Sequence, residues 1–205
     1  MYLNIDPYHF SYSEIKEAVD VLENGGIAII PTDSVYALVC KLSDKDAMLK
    51  LCKLADRKPA QSKLSVLLSS ISEISEFTTP ISNAVFRMLK QYLPGPYTFI
   101  LRANHSIPKM FLSKRKSLGV RIPNNDICQA ILDQMSFPLV SASLKNEDEV
   151  LEYFSNPEEI ATQWLEKVDL IVAGANSTME PSTIIDCTGY EPELIREGAG
   201  KINEI

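Results

Sequence analysis

Histidine is almost missing from this chain: His9 and His105 are the only two in 205 residues. Their scarcity argues against a histidine-rich metal centre and against a Ser–His–Asp type of nucleophile activation. Paired cysteines are missing too. Cys40, Cys52, Cys128 and Cys187 are widely spaced in apolar surroundings, with no Cys-x-x-Cys, and read as buried, reduced thiols in a cytoplasmic protein. No apolar run approaches the length that crosses a bilayer. The first residues, Met1 to Asp6, lack the basic and then apolar segments of a secretory signal. A soluble protein without a membrane partner is therefore expected. Positive charge is short, with 20 Lys plus Arg against 27 Asp plus Glu and a formal net charge of −7. A generally basic nucleic-acid coat is excluded, and only local basic patches remain available. Glycine is modest at 8, the 12 prolines are dispersed, and there is neither a linker of low complexity nor an internal repeat. GxxxxGK[ST] and GxGxxG are both absent, so neither a P-loop nor a dinucleotide-binding turn is available for phosphate.

What is present is enough apolar material, 45% of the chain, to bury one core, and a single domain over 1–205 is expected. Ser11-Tyr12-Ser13-Glu14 has the spacing of a capping box, with Ile15, Ala18, Val19 and Leu22 on one helical face and Gly25 or Gly26 as its stop. Ile27–Ile30 reads as a buried strand ended by Pro31. Ser43-Asp44-Lys45-Asp46 opens a second helix whose stripe is Met48, Leu51, Cys52 and Ala55. Leu64–Leu68 is a strand candidate. A helix with Val85, Leu89 and Tyr92 inward runs to the turn Pro94-Gly95-Pro96. Tyr97–Arg102, Ser117–Ile122 and Leu139–Ser143 read as strands, with a helix capped by Asp126 between the last two. Asn156-Pro157-Glu158-Glu159 has the order of a helix start. Val168–Val172, Thr183–Cys187 and Glu193–Arg196 close the chain as strands. Strands alternate with helices early and crowd together late, which predicts an α/β fold with a mixed, twisted sheet and flanking helices.

Polar residues recur just after these apolar runs: Thr32 and Ser34, Arg57 and Lys58, Thr98, Arg121, Ser141 and Ser143, Ser182 and Thr183, and Arg196. Hydroxyl and guanidinium groups suit phosphate and carboxylate oxygens, so the pattern describes an oxyanion-binding cleft. Any single Ser or Thr among them is more simply a turn residue or a cap. Arg121 is harder to dismiss, because an unpaired charge inside the apolar run Leu118–Ile122 is costly. It is expected either to face a wet cavity or to pair with an acid. Lys109, Lys114, Arg115, Lys116 and Arg121 form a local basic run against the acidic whole, a solvated face by default and an RNA contact in the sharper reading.

Five segments in order resemble the YrdC/YciO family, which includes the threonylcarbamoyl-adenylate synthases. They are PTDSVYAL at 31–38, LPGPYTFIL at 93–101, GVRIP at 119–123, PLVSASL at 138–144, and PSTIIDCT with IREGAG at 181–188 and 195–200. The resemblance covers about residues 10–200, with the YciO branch most alike. It implies a sheet and helices around a large, open, positively lined concavity. It also implies a nucleotidyltransferase that uses ATP with Mg²⁺, bicarbonate and L-threonine for tRNA modification. Carried over, Thr32 and Tyr36 would line a threonine pocket and Arg57 would bind phosphate, with Lys58 beside it in the catalytic loop. Thr98, Arg121, Ser141, Ser143, Ser182 and Arg196 would hold nucleotide or the threonine carboxylate. No metal ligand of the protein's own and no tightly bound cofactor are implied.

The likeness has gaps. Ala37 stands where the synthases have Gly, Ala55-Asp56-Arg57 where they have Lys-x-Arg, and Ser143-Leu144-Lys145 where they have Ser-x-Asn. Lys53, Lys58 and Lys63 are the candidates to replace the lost cation. A lost phosphate contact weakens transition-state stabilisation, so the expectation is a weak synthase. The alternative is a nucleotide- or double-stranded-RNA-binding protein (tRNA included) without robust synthase activity. Trp164 reads as core. Asp33 reads equally as a turn residue and as a group orienting Thr32 or a ligand amine. Asp186 is expected to pair with a backbone amide or an Arg.

Overall fold

The structure, a computed structural model, describes residues 1–56, 64–109, 116–144, 154–174 and 177–202. The elements run β1 (Tyr2–Asn4), α1 (Tyr12–Glu23), β2 (Ala28–Ile30), β3 (Ala37–Lys41), α2 (Lys45–Leu54), β4 (Ser65–Leu67), α3 (Ile74–Phe77) and α4 (Asn83–Tyr92). They continue β5 (Tyr97–Arg102), β6 (Ser117–Arg121), α5 (Asp126–Gln134), β7 (Leu139–Ser143), α6 (Pro157–Trp164), β8 (Leu170–Ala173), β9 (Thr183–Asp186) and β10 (Glu193–Arg196). All described strands join one sheet in the order β1-β8-β2-β3-β7-β4-β6-β5-β9-β10. Parallel pairs (β1 with β8, β2 with β8, β4 with β6, β5 with β9) interleave with antiparallel ones. The expected α/β architecture, a mixed sheet with helices against it, is the observed one.

Local chemistry explains most boundaries. Ser11 Oγ accepts from the Glu14 amide at 3.3 Å and the Glu14 carboxylate accepts from the Ser11 amide at 2.7 Å, completing the capping box. Gly25 takes φ 82, the left-handed conformation that lets the chain leave α1. Asp44 caps α2 through the Ala47 amide, and Asn156 caps α6 with Pro157 in its first turn. The cap of α5 is Asn125, not Asp126. Its side chain accepts from the Cys128 amide at 2.9 Å, while Asp126 sits one position inside, where its charge still favours the helix amino terminus. Ala55 is the C-cap of α2, half-buried and packed against the same core as Met48, Leu51 and Cys52.

Two strands are additions to the sequence reading. β1 is three residues long and is held by β8 alone, a pairing with no local signal. β3 lies directly after the 31–36 segment and pairs antiparallel with β2, Ile30 opposite Ala37 and Ala28 opposite Val39. Pro31–Tyr36 is therefore a hairpin connection between two buried strands.

Side chains alternate across a strand, and the two faces of the sheet meet different helices. On one face Leu38, Cys40, Val66, Phe99, Val120, Val140 and Ile185 pack with the buried residues of α2, α3, α4 and α6, Trp164 among them. On the other, Ala28, Ile30, Ala37, Val39, Leu67, Leu139, Leu170 and Val172 pack with Ile15, Ala18, Val19 and Leu22 of α1 and Ile127, Cys128, Ile131 and Leu132 of α5. No residue of β5, β6, β9 or β10 belongs to this second cluster. The α1/α5 layer covers only half of its face.

The cysteines are free, with Cys40, Cys52 and Cys128 buried and Cys187 half-buried. Burial pushes the Cys128 thiol up to about 12 and the Cys187 thiol up to about 11, and raises Cys40 as well. Native protein at pH 8 is expected to react slowly with iodoacetamide and to show four alkylations by mass spectrometry only after unfolding. A thiol modified within minutes in the native protein would contradict this placement.

Glu23, the last residue of α1, gathers three elements. It forms an ion pair with Lys41 at the end of β3 and accepts from the Ser136 amide and hydroxyl, both at 2.6 Å, in the connection from α5 to β7. Burial alone would raise its pKa, but the bonds from Lys41 and Ser136 outweigh it and lower the carboxyl from 4.5 to about 2. A depressed folded pKa stabilises fully above the unfolded value and is lost as pH falls. The stability difference between wild type and Glu23→Gln, read from urea unfolding, is expected to be full at pH 7 and to shrink between pH 4.5 and 2. A difference that stays constant over that window would remove this role.

Candidate functional site

The half of the α1/α5 face that those helices do not reach is polar, and strand parity places its residues together. Ser65 of β4 lies opposite Gly119 of β6 on one side and Ser141 of β7 on the other. Thr98 of β5 is in the register of Ile184 on β9, and Ser143 is opposite Ala37. Each of these side chains is two or four residues along its strand from, or directly opposite, a member of the same face. Ser65, Thr98, Gly119, Arg121, Ser141 and Ser143 therefore stand together where an apolar layer would otherwise continue. A Cβ on Gly119 would come within 2.7 Å of Ser65 Oγ and 3.0 Å of Thr98 Cγ2, so glycine keeps this row open at its centre.

Two clusters stand along the row. In the first, Arg121 Nη2 donates to Thr32 Oγ1 at 2.9 Å and to Ser34 Oγ at 2.7 Å, and forms an ion pair with Asp33. Arg121 is 5% exposed and Thr32 4%. Thr32 Oγ1 also donates to the Val35 carbonyl at 2.7 Å and accepts from the Ser34 amide, so the loop is folded on its own hydroxyl. Asp33 uses its other oxygen to accept from the Asn124 amide at 2.8 Å, just ahead of α5. The charge inside the apolar run is thus paired with an acid, one of the two outcomes expected for it. Asp33 is its partner and not a simple turn former.

The second cluster joins Thr98, Ser182 and Arg196. The Thr98 and Ser182 hydroxyls are 2.8 Å apart, both buried, and Arg196 Nη2 donates to the Ser182 carbonyl at 2.6 Å. Thr183 Oγ1 donates to the Gly200 carbonyl and accepts from the Gly198 amide, folding the segment after β10 back over β9. Thr178 donates its amide to the Ser34 carbonyl at 2.9 Å, which links the β8–β9 connection to the first cluster.

Ser141 is buried, its hydroxyl 3.4 Å from the Ser65 carbonyl. Ser143 is half-buried at the end of β7. Tyr36 is fully buried in the opposite core, its oxygen accepting from the Gly174 amide at 3.2 Å, and burial raises its pKa. Arg57 and Lys58 lie outside the described residues, as do Lys63, Lys114, Arg115 and Lys145. Lys53 is exposed on the last turn of α2. The basic run needs correction at one end: Arg121 is sealed in an ion pair and contributes nothing to a surface patch. Asp186 accepts from the Thr188 amide and hydroxyl at 2.8 and 2.6 Å. Ser65 is the site residue the sequence did not reveal. Its signal was parity alone, a hydroxyl two residues from Leu67 on a face that turns polar partway across the sheet. No group of three or more His, Cys, Asp or Glu among the described residues is placed to hold a metal ion, and none of their helices is long and apolar enough to cross a membrane.

Comparison with known proteins converges on one family. The profile for Sua5, YciO and YrdC, described as Telomere recombination, matches residues 20–198. YciO of Escherichia coli (strain K12) is 38% identical over 190 residues, 92% of this chain and 90% of that protein. The crystal structure of E. coli YciO superposes with a TM-score of 0.92 at 35% identity, covering 99% of this chain and 98% of the other. Threonylcarbamoyl-AMP synthase of Pyrococcus abyssi (strain GE5 / Orsay) is 23% identical over 94% of this chain but only 56% of the synthase. The crystal structure of P. abyssi Sua5 complexed with L-threonine gives a TM-score of 0.87 at 20% identity, over 97% of this chain and 57% of that one. At that identity the likeness is one of fold.

Removing one member of a buried ion pair strands the other charge and costs about 3–5 kcal/mol. Arg121→Met is expected to lose stability of this order in urea unfolding at pH 7. Arg196→Met, whose guanidinium meets only the Ser182 carbonyl among the bonds described, is expected to lose about 1–2 kcal/mol. Equal losses would mean that the Asp33 pairing carries no special weight.

Proposed function

Because the chain belongs to the Sua5, YciO and YrdC family, we propose that the polar half of this sheet face binds ATP beside a small amino acid and forms an acyl-adenylate. With L-threonine and bicarbonate the products are threonylcarbamoyl-AMP and pyrophosphate. The observation that carries this reading is the pair of clusters on one half-covered sheet face, a guanidinium held by Thr32, Asp33 and Ser34 and a hydroxyl pair at Thr98 and Ser182 beside Arg196.

The chemistry asks for donors and alignment. The amine of threonine captures CO2 to give a carbamate, whose oxygen attacks the α-phosphorus of ATP as pyrophosphate leaves. Two anions must be brought together and their charge offset, a task for oriented hydroxyls and guanidinium groups more than for a strong base. Two histidines in the chain are no handicap for such a step. The described residues offer no cage of carboxylates for a metal, so magnesium is assigned to the substrate as Mg–ATP. Ser65, Ser141, Thr98 and Ser182 are proposed for nucleotide oxygens, and Arg121, through the Nε–H that its ion pair leaves unpartnered, for the amino acid carboxylate, with Thr32 holding the guanidinium. Arg57 and Lys58 are proposed as phosphate contacts from the segment between α2 and β4.

Substitution of the synthases' Lys-x-Arg and Ser-x-Asn by Ala55-Asp56-Arg57 and Ser143-Leu144-Lys145 supports a slow enzyme and is the specific reason to hold a second reading, nucleotide binding without turnover. Purified protein incubated with ATP, bicarbonate and L-threonine is expected to release pyrophosphate and threonylcarbamoyl-AMP, detected by mass spectrometry, more slowly than a family synthase run in parallel. Omission of threonine should abolish both products. No product, with a melting temperature raised by ATP or AMP, would replace the first reading by the second. No product and no thermal shift would defeat both.

A further inference from the structure

Arg121 is bonded unevenly. An Nη group carries two hydrogens, yet Nη2 faces three acceptors: Thr32 Oγ1, Ser34 Oγ and Asp33 Oδ1. At the other corner of the same guanidinium, Nε is buried and has no hydrogen-bond partner. A buried N–H left unpaired costs about 1–3 kcal/mol, and here that cost stands beside a surplus of acceptors at the other end of the same side chain. Asp33 holds the guanidinium at that end. Its Oδ1 pairs with Nη2 and its Oδ2 accepts from the Asn124 amide at 2.8 Å, so one carboxylate bridges the guanidinium to the segment that opens α5.

We propose that Asp33 is a positioning residue: it pins Arg121 by Nη2 and leaves Nε–H as the donor offered to a carboxylate oxygen of the substrate. This rests on the proposed amino-acid site and adds to it a division of labour. The guanidinium keeps one corner for the protein and one for the ligand. Asp33 does not touch the ligand. Its charge offsets that of Arg121 before the ligand arrives, so the carboxylate is bound chiefly by a directed hydrogen bond, and its fit depends on the angle at which the guanidinium is held.

The test follows the Arg121 Nε–H resonance by proton–nitrogen NMR, assigned by its loss in Arg121→Lys. In the wild type this proton is expected to exchange slowly with solvent. In Asp33→Asn, which keeps an acceptor but removes the charge, exchange should quicken at least tenfold while the amide spectrum stays dispersed. If Asp33→Asn does not fold, Asn124→Pro, which deletes the amide bound by Oδ2, serves the same purpose. Unchanged exchange in a folded variant overturns the positioning role. L-threonine is then titrated into the wild type, and a saturable downfield shift of Nε–H is expected, with affinity at least tenfold weaker in Asp33→Asn and ATP affinity within twofold. If threonine has no effect but acetate shifts the resonance, the division of labour stands and the proposed amino acid is wrong. If neither moves it, Nε is not a ligand donor and the inference fails.

Discussion

A guanidinium shut inside a sheet must be neutralised where it stands, and the packing around Arg121 follows from that requirement. Its strand, β6, lies between β4 and β5, so its flanking residues are committed to ladder bonds. Neutralisation therefore comes from outside the ladder, from the connection between β2 and β3. Asp33 arrives with Thr32 and Ser34 on either side, and the connection is shaped to deliver all three oxygens to one nitrogen. Because Asp33 also binds the Asn124 amide, the pair fixes the entry to α5, the helix that closes one half of the sheet face. Replacing such a pair by apolar residues can be neutral for stability. Stability alone therefore does not account for its presence on an otherwise regular strand.

The second constraint is coverage. Ten strands present a wide surface, and the face that meets α1 and α5 is apolar only as far as β4 and β7, where Leu67 and Leu139 end the cluster. Beyond them the same face shows hydroxyls and a glycine. This change of character within single strands, Leu67 to Ser65 and Leu139 to Ser141, marks the boundary between an apolar layer and a polar row in which Thr98, Arg121 and Ser141 are themselves buried. The opposite face is apolar from β2 to β9 and packs against four helices. One side of the sheet is apolar core, and half of the other is polar.

Capping chemistry and strand runs were legible because their causes are local. Ser11 with Glu14, Asp44, and Asn156 with Pro157 each contain the interaction that defines them. Where two neighbours could serve, as with Asn125 and Asp126, local chemistry did not choose; the cap fell to Asn125, and Asp126 took a first-turn position suited to its charge. β1 was not legible, since three residues hold a strand only through a partner more than 160 residues away. β3 was masked by the motif before it: Pro31 announces a stop but not a hairpin return.

By itself the sequence determined the kind of fold, the position of the motif segments and the identity of the oxygens and guanidinium groups available, because composition, alternation and capping act within a few residues. Tertiary structure alone decided which of those groups meet. Asp33 and Arg121 are 88 residues apart, Thr98 and Ser182 are 84 apart, and nothing along the chain distinguishes them from Ser or Asp residues that end as turns. The physical reason is strand order. β6 and β5 come to lie beside β4 and β9 only when the whole sheet assembles, and parity then sends their polar side chains to the face that α1 and α5 leave bare.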